Sequence, residues 1–359
     1  MVGPHDLYRP SGQHAEPDHS TIAAGGECSY DQHMSDVALL ETKFFVPRAP
    51  VNLVERSRIT DVLDDGLRCP LTLLCGPAGF GKTTALAAWV EHVSLPCGWI
   101  SLDERDNDPA RFFACLAKVF SRLVPDLDVS SLAGFRTPDS PPLEADLALL
   151  INDLAAASTE MVLVLDDLHL ITSDRVHRAL NFLIEHIPPN LHVVMATRED
   201  PSLPLARLRA RMQVRELRAE DLRFTGEETV SFLRGQRTLT LSEADTRKLA
   251  EKTEGWIAGL HLAALSMTRL TEEELARFIE DFAGTHRFVL DYLTEEVLDR
   301  LSDNARDFLL ETSILDRLCG PLCDALFDES SMSGQQWLEW LEDRSLFLLS
   351  LDHERRWYR

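Results

Sequence analysis

An apolar run, Leu71–Cys75, flows into Gly76-Pro77-Ala78-Gly79-Phe80-Gly81-Lys82-Thr83, and a helical stretch from Thr83 to Val90 follows directly. Strand, glycine-rich loop and helix in that order are the context a phosphate-binding loop requires. Glycines let backbone N–H groups turn inward and approach phosphate oxygens closely. Lys82 supplies a positive charge to the β- and γ-phosphates, Thr83 a hydroxyl to Mg²⁺, and the helix N-terminus its dipole. The alternative, a chance glycine-rich turn, lacks this strand-and-helix context. The chain is therefore expected to bind ATP with Mg²⁺ through residues 76–83.

The flanking sequence predicts the fold around that loop. Gly98–Leu102, Met161–Leu165, His192–Thr197 and Val214–Leu217 read as further strands, with helices over Ala110–Leu123 and Leu143–Ala157. Alternating strands and helices imply an α/β fold, a doubly wound parallel sheet. Upstream, Thr42–Pro47 reads as extended and Leu53–Leu63 as helical; residues 126–142 read as a loop, broken by Gly134, Pro138, Pro141 and Pro142. After about Gly226 strand signals fade. Glu227–Arg234, Ser242–Glu251, Ile257–Leu270, Asp291–Thr312, Leu322–Phe327 and Gln335–Leu341 read as helices. Leu346–Leu351, a turn and Arg356–Tyr358 read as a hairpin.

A length of 359 residues suggests two or three domains. Residues 1–38 are polar, without an apolar run, and read as a disordered leader rather than a signal peptide. No stretch approaches the ~20 apolar residues that span a membrane. A formal net charge of −23 repels phosphate backbones, so direct DNA binding by these residues is not expected. The seven cysteines are irregularly spaced, without zinc spacing, which fits a cytoplasmic protein. Cys319 and Cys323 share a helix face and read as two small core residues.

Asp166 and Asp167 end the Met161–Leu165 strand, where the phosphates and metal of a doubly wound sheet lie. Asp166 is expected to hold Mg²⁺ and Asp167 to orient or deprotonate the attacking water. The bland reading is two solvated acids capping the next helix. Arg198, after the His192–Thr197 strand, is expected to sense the γ-phosphate; otherwise it is a surface arginine paired with Glu199 or Asp200. Arg207, Arg209, Arg211, Arg215 and Arg218 form a basic stretch, read as a solvated ion-paired face rather than a phosphate sensor or arginine finger. Trp256 has two readings, a core aromatic or a contact near the adenine.

Several motifs in this order carry a resemblance. They are Thr42-Lys43 with Val46-Pro47-Arg48, Leu53-Val54-Glu55-Arg56, Gly76 through Thr84, and Trp99-Ile100-Ser101-Leu102-Asp103 with Asp106-Asn107-Asp108-Pro109. They continue with Leu165-Asp166-Asp167-Leu168-His169, Ala196-Thr197-Arg198, Asp221-Leu222-Arg223-Phe224, Thr253 through Leu260, and Tyr292-Leu293 with Glu296-Val297-Leu298. From about Leu39 to Arg359 the chain resembles the large ATP-binding transcriptional regulators of the LuxR type, signal-transduction ATPases of the STAND class. The resemblance implies a nucleotide-binding domain over residues 39–225, a helical lid over 226–284 and a truncated winged-helix domain over 285–359. It implies an ADP-closed, ATP-open switch that self-associates with ATP and resets by slow hydrolysis. It places Thr84 with the nucleotide-binding residues and Leu53–Arg56 beside the base, making Arg56 a binding residue. It also implies an inducer-sensing domain and a DNA-binding helix-turn-helix beyond Arg359, so the sequence reads as a fragment or truncated product. A different class of reading, an ATPase module attached to an enzyme such as a kinase, or a non-hydrolysing nucleotide-binding module, shares the same site.

Overall fold

In the computed structural model, residues 39–359 are described, apart from 126, 130–142, 237–240, 269, 283–286, 328–331, 345, 347, 349 and 353. The expected leader, and nearly all of the expected 126–142 loop, lie outside the described residues. Five parallel strands form one sheet: β1 (Leu71–Cys75), β2 (Cys97–Ser101), β3 (Met161–Asp166), β4 (Leu191–Thr197) and β5 (Val214–Leu217), in the order β2-β3-β4-β1-β5. The three central strands are buried at every residue, which is why they read as unbroken apolar runs.

Alternation along those strands feeds two cores. Leu73, Leu163, Val193 and Met195 face one side; Leu74, Val164, Val194 and Ala196 face the other, with Trp89 and Trp99. Helices cover both faces: α1 (Ser57–Gly66), α2 (Lys82–Val90), α3 (Pro109–Leu123), α4 (Leu143–Ala156), α5 (Asp174–Glu185), α6 (Leu205–Ala210) and α7 (Ala219–Leu222). Helices α5 and α6 were not assigned from sequence. The expected α/β doubly wound class is the observed one.

Beyond the sheet, α8 (Gly226–Gly235), α9 (Glu243–Thr253), α10 (Ile257–Met267), α11 (Glu272–Asp281) and α12 (Arg287–Glu296) share a core that includes Phe232, Leu249, Leu260, Ile279 and Val289. Helix α11 was missed in sequence although Thr271 and Glu274 form a capping box at its start. The last core joins α13 (Asp303–Thr312), α14 (Gly320–Leu326) and α15 (Gly334–Asp343) through Phe308, Cys323, Trp337, Leu338 and Tyr358. Cys323 is buried there and Cys319 half-buried, as small structural residues.

Three local expectations are corrected. Glu41–Phe44 is a 3₁₀ turn, not extended chain, because Lys43 is pulled inward to the buried Asp106 and the part-exposed Asp103. The helix expected from Leu53 begins at Ser57, leaving Leu53–Arg56 outside it. Asp291–Thr312 is not one helix: α12 stops at Glu296, and Ser302 caps α13 through Ala305 N–H. Of the expected terminal hairpin, part of which lies outside the described residues, Ser350 pairs antiparallel with Tyr358 and Leu351 N–H donates to Trp357 O at 2.7 Å; Tyr358 also pairs with Leu318.

Candidate nucleotide-binding site

The loop after β1 is anchored where β1 lies beside β4, Gly76 N–H donating to Thr197 O at 3.2 Å. Gly79 and Gly81 take φ of +77° and +75°, the left-handed region a side chain would strain. Lys82 opens α2 and is only 8% exposed. Its ammonium curls back onto the loop, donating to Gly76 O (2.6 Å) and Pro77 O (2.9 Å). Burial, with Arg198 adding to it, lowers its pKa to about 8, against the pull of Asp167 and Asp166. A buried cation held only by neutral carbonyls gains from an arriving anion.

Asp166 ends β3 and is 2% exposed. Thr83 Oγ1 donates to its Oδ1 at 3.1 Å, and Asp167 N–H donates to the same oxygen at 3.1 Å. Burial and then the charge of Asp167 raise the Asp166 pKa to about 6, against those two hydrogen bonds and Lys82. A buried carboxylate beside a hydroxyl fits a hard divalent cation, and no group of three or more His, Cys, Asp or Glu among the described residues competes as a metal site. Residues Thr83 and Asp166 thus suit Mg²⁺ completed by phosphate oxygens.

Asp167 holds φ of +58°, a strained conformation for a residue with a side chain, and its carboxylate remains 42% exposed. Two residues on, His169 brings Nδ1 to 3.9 Å from Asp167. Neither ring nitrogen of His169 has a hydrogen-bond partner among the described residues. Burial, then Arg198, Lys82 and Arg300, drop its pKa to about 3, so it is neutral at physiological pH. His169 stood inside a matched motif, yet no spacing signal marked it.

Arg198 takes neither partner weighed from sequence. It crosses to the end of α12, donating to Glu296 O (2.8 Å) and Glu296 Oε2 (2.6 Å). Ala78, His169, Arg198, Glu296 and Arg300 line one cavity of about 760 Å³. Trp256 is partly buried against two of the cores and its Nε1–H donates to Ala78 O at 3.1 Å, while Ala258 N–H donates to Gly79 O at 3.0 Å. The start of α10 therefore sits on the phosphate loop.

At the other end of the loop lies a cavity of about 800 Å³. Its walls include Leu53, Val54, Gly81, Thr84, Phe224 and Ile257, with Arg56 at the edge. The Arg56 guanidinium is turned to Leu222 O (2.6 Å), to Glu228 (3.5 Å) and over the Phe224 ring. Burial lowers its pKa to about 10 despite the Glu228 charge. Four of the five arginines of the basic stretch are ion-paired at the surface: Arg207 with Glu185, Arg209 with Glu216, Arg215 with Asp65, and Arg218 with Asp200 and Glu216.

A five-stranded parallel sheet with a lysine-bearing phosphate loop after β1 and an acid at the end of β3 is the fold of a P-loop nucleotide-binding module. The AAA ATPase domain family matches residues 54–196, and the MalT winged helix domain family matches residues 294–359. The chain is MalT-like over nearly all of its length. It is 36% identical over 321 residues to the HTH-type transcriptional regulator MalT of Yersinia enterocolitica, covering 89% of this chain and 35% of that one. The MalT of Yersinia pestis is 35% identical over the same length. The chain thus spans about a third of the length of the curated relatives it matches. The Walker-type ATPase PABY2304 of Pyrococcus abyssi shares the fold, with a TM-score of 0.58 at 16% identity over 87% of this chain and 94% of that one. Among the described residues no helix is long and apolar enough to cross a membrane.

Proposed function

We propose that the chain is the nucleotide switch of a LuxR-type transcriptional regulator of the STAND class, closed with ADP, open with ATP and reset by slow hydrolysis. The supporting observation is a convergence. The phosphate loop, the start of α10 and the end of α12, far apart in sequence, meet at the phosphate end of the site. Whatever fills that end bears on all three.

In this reading residues 39–225 bind nucleotide, 226–284 form a lid and 285–359 a winged-helix domain. Backbone N–H groups of Gly76, Ala78, Gly79, Phe80 and Gly81, on a loop shaped by Pro77, cradle the phosphates with Lys82, Thr83 and Thr84. Thr83 and Asp166 hold Mg²⁺, which supplies charge stabilisation on the phosphate oxygens. Asp167 accepts the proton of the attacking water, and Arg198 reaches the γ-phosphate. The base enters the cavity beside Leu53–Arg56. An inducer acts through a sensor domain outside this chain, ATP promotes self-association, and these acidic residues leave DNA binding to another part of a cytoplasmic protein.

Paired titration and turnover measurements test this. Lys82→Ala should bind neither ATP nor ADP measurably, and Asp167→Asn should bind both yet lose turnover. Parental affinity in folded Lys82→Ala would remove the site assignment. A parental rate in Asp167→Asn would remove the hydrolytic half.

A further inference from the structure

Glu296 is the last residue of α12, and Arg198 grips it twice, at the backbone carbonyl and at the carboxylate. The first contact places a cation on the negative end of the helix, the second pairs it with a carboxylate. Arg300 closes on the same carboxylate from the next turn, at 3.1 Å. One turn earlier on α12, Tyr292 lies over the phosphate loop: a methyl built on Gly79 would stand 2.9 Å from its hydroxyl oxygen. Two successive turns of one helix thus touch the phosphate loop and the arginine at the end of β4. Directly after Glu296 the chain leaves the α-helix, through a 3₁₀ turn at Leu298–Arg300, towards α13.

We propose that Glu296 is a stand-in for the γ-phosphate, so that ATP, but not ADP, competes with α12 for Arg198. The inference rests on the nucleotide reading above and adds the element that carries the signal. The Arg198 guanidinium offers one fork of donors, and it is committed to α12. A terminal phosphate that takes those donors leaves the end of α12 with Arg300 alone. ADP makes no such demand and leaves the clasp closed. Helix α12 shares its core with α10 and runs on towards the winged-helix segment, so its release reaches both. The Arg198 and Glu296 side chains are 22% and 31% exposed, so solvent screens the pair in part.

The test is Glu296→Gln in the full chain, titrated with Mg²⁺ and either ADP or a non-hydrolysable ATP analogue. Removing the competing charge should tighten the analogue about fivefold, the equivalent of ~1 kcal/mol, and leave ADP affinity where it was. Glu296→Asp, which keeps the charge, should fall back towards the parental ratio. Trypsin gives a second readout at Arg300: the analogue should speed cleavage of the parent, and Glu296→Gln should be cut rapidly without nucleotide. An unchanged analogue-to-ADP ratio in Glu296→Gln, or analogue and ADP shifting together, overturns the clasp. A parent that binds neither nucleotide overturns the underlying nucleotide reading instead.

Discussion

The two ends of the candidate site are made in opposite ways. The phosphate end is built mainly from consecutive residues, Gly76 to Thr83, with Asp166 and Arg198 at the ends of β3 and β4. It is polar and tightly partnered, and its two left-handed glycines fix where N–H groups point. The base end gathers Leu53 and Val54, the first turn of α2, and Phe224 and Ile257 from far downstream around an open cavity. One end demands particular backbone directions and charges; the other demands apolar walls of roughly the right size. Substitutions should therefore be punished unequally, and that inequality is measurable.

After Lys82, the largest effect is expected at Gly79. A methyl there would sit 2.4 Å from the Ala258 methyl and 2.7 Å from Trp256 Nε1, on a backbone at φ +77°. Ala258 cannot step aside, because its N–H is bonded to Gly79 O. Strain of about 1–2 kcal/mol and the displaced α10 act together, so Gly79→Ala should weaken ATP and ADP about 100-fold or more. Titration with both nucleotides would check it, and a loss under tenfold would erase the contrast between the two ends.

The same asymmetry explains what could be read from the sequence. Strands β1, β3 and β4 are buried on both faces, so their apolar runs were visible, and the loop after β1 announced itself by residue type. Asp166 and Thr83 fell together because a strand end and a helix start are local positions. The partner of Arg198 was not legible. Glu296 lies 98 residues away and meets it only because the helices after the sheet fold back onto the loop. His169 was passed over for a similar reason: its burial is set by tertiary packing, not by any periodicity. The expectation that Leu53–Arg56 lie beside the base came only from resemblance, since no spacing there specifies a pocket. The pairing of Ser350 with Tyr358 was legible in the local strand–turn–strand pattern, whereas the second partner of Tyr358, Leu318, lies outside that pattern.

An intermediate effect should appear on acidification, and it should not discriminate between the ends. At the start of β4, His192 is buried with Nε2 3.1 Å from Thr72 Oγ1, and burial lowers its pKa to about 4 from 6.5. The folded form keeps the ring neutral while the unfolded chain takes up a proton. The associated stability is thus complete above pH 6.5 and is lost as pH falls from there towards 4. At pH 5 the loss from this ring should be about 2 kcal/mol. Urea unfolding at pH 7.5 and pH 5 would show it, and His192→Leu should remove this share of the pH dependence, to which the depressed His169 adds and which the raised Asp166 opposes. A variant with the parental slope would show that His192 is not the group responsible.

The smallest effect is expected at Leu53. Its side chain lines the base-end cavity yet is 39% exposed, so truncation removes only part of a leucine's apolar contact. Leu53→Ala should weaken nucleotide about threefold, ~0.7 kcal/mol. The direction of the comparison matters more than the size. The base is common to ADP and ATP, so both affinities should fall by the same factor. Glu296→Gln, by contrast, should move their ratio. Titrating one preparation of Leu53→Ala with each nucleotide separates the cases. A loss beyond about tenfold would mean the base end is built as strictly as the phosphate end. A loss confined to ATP would mean that Leu53 acts through closure of the helical segment and not through the base.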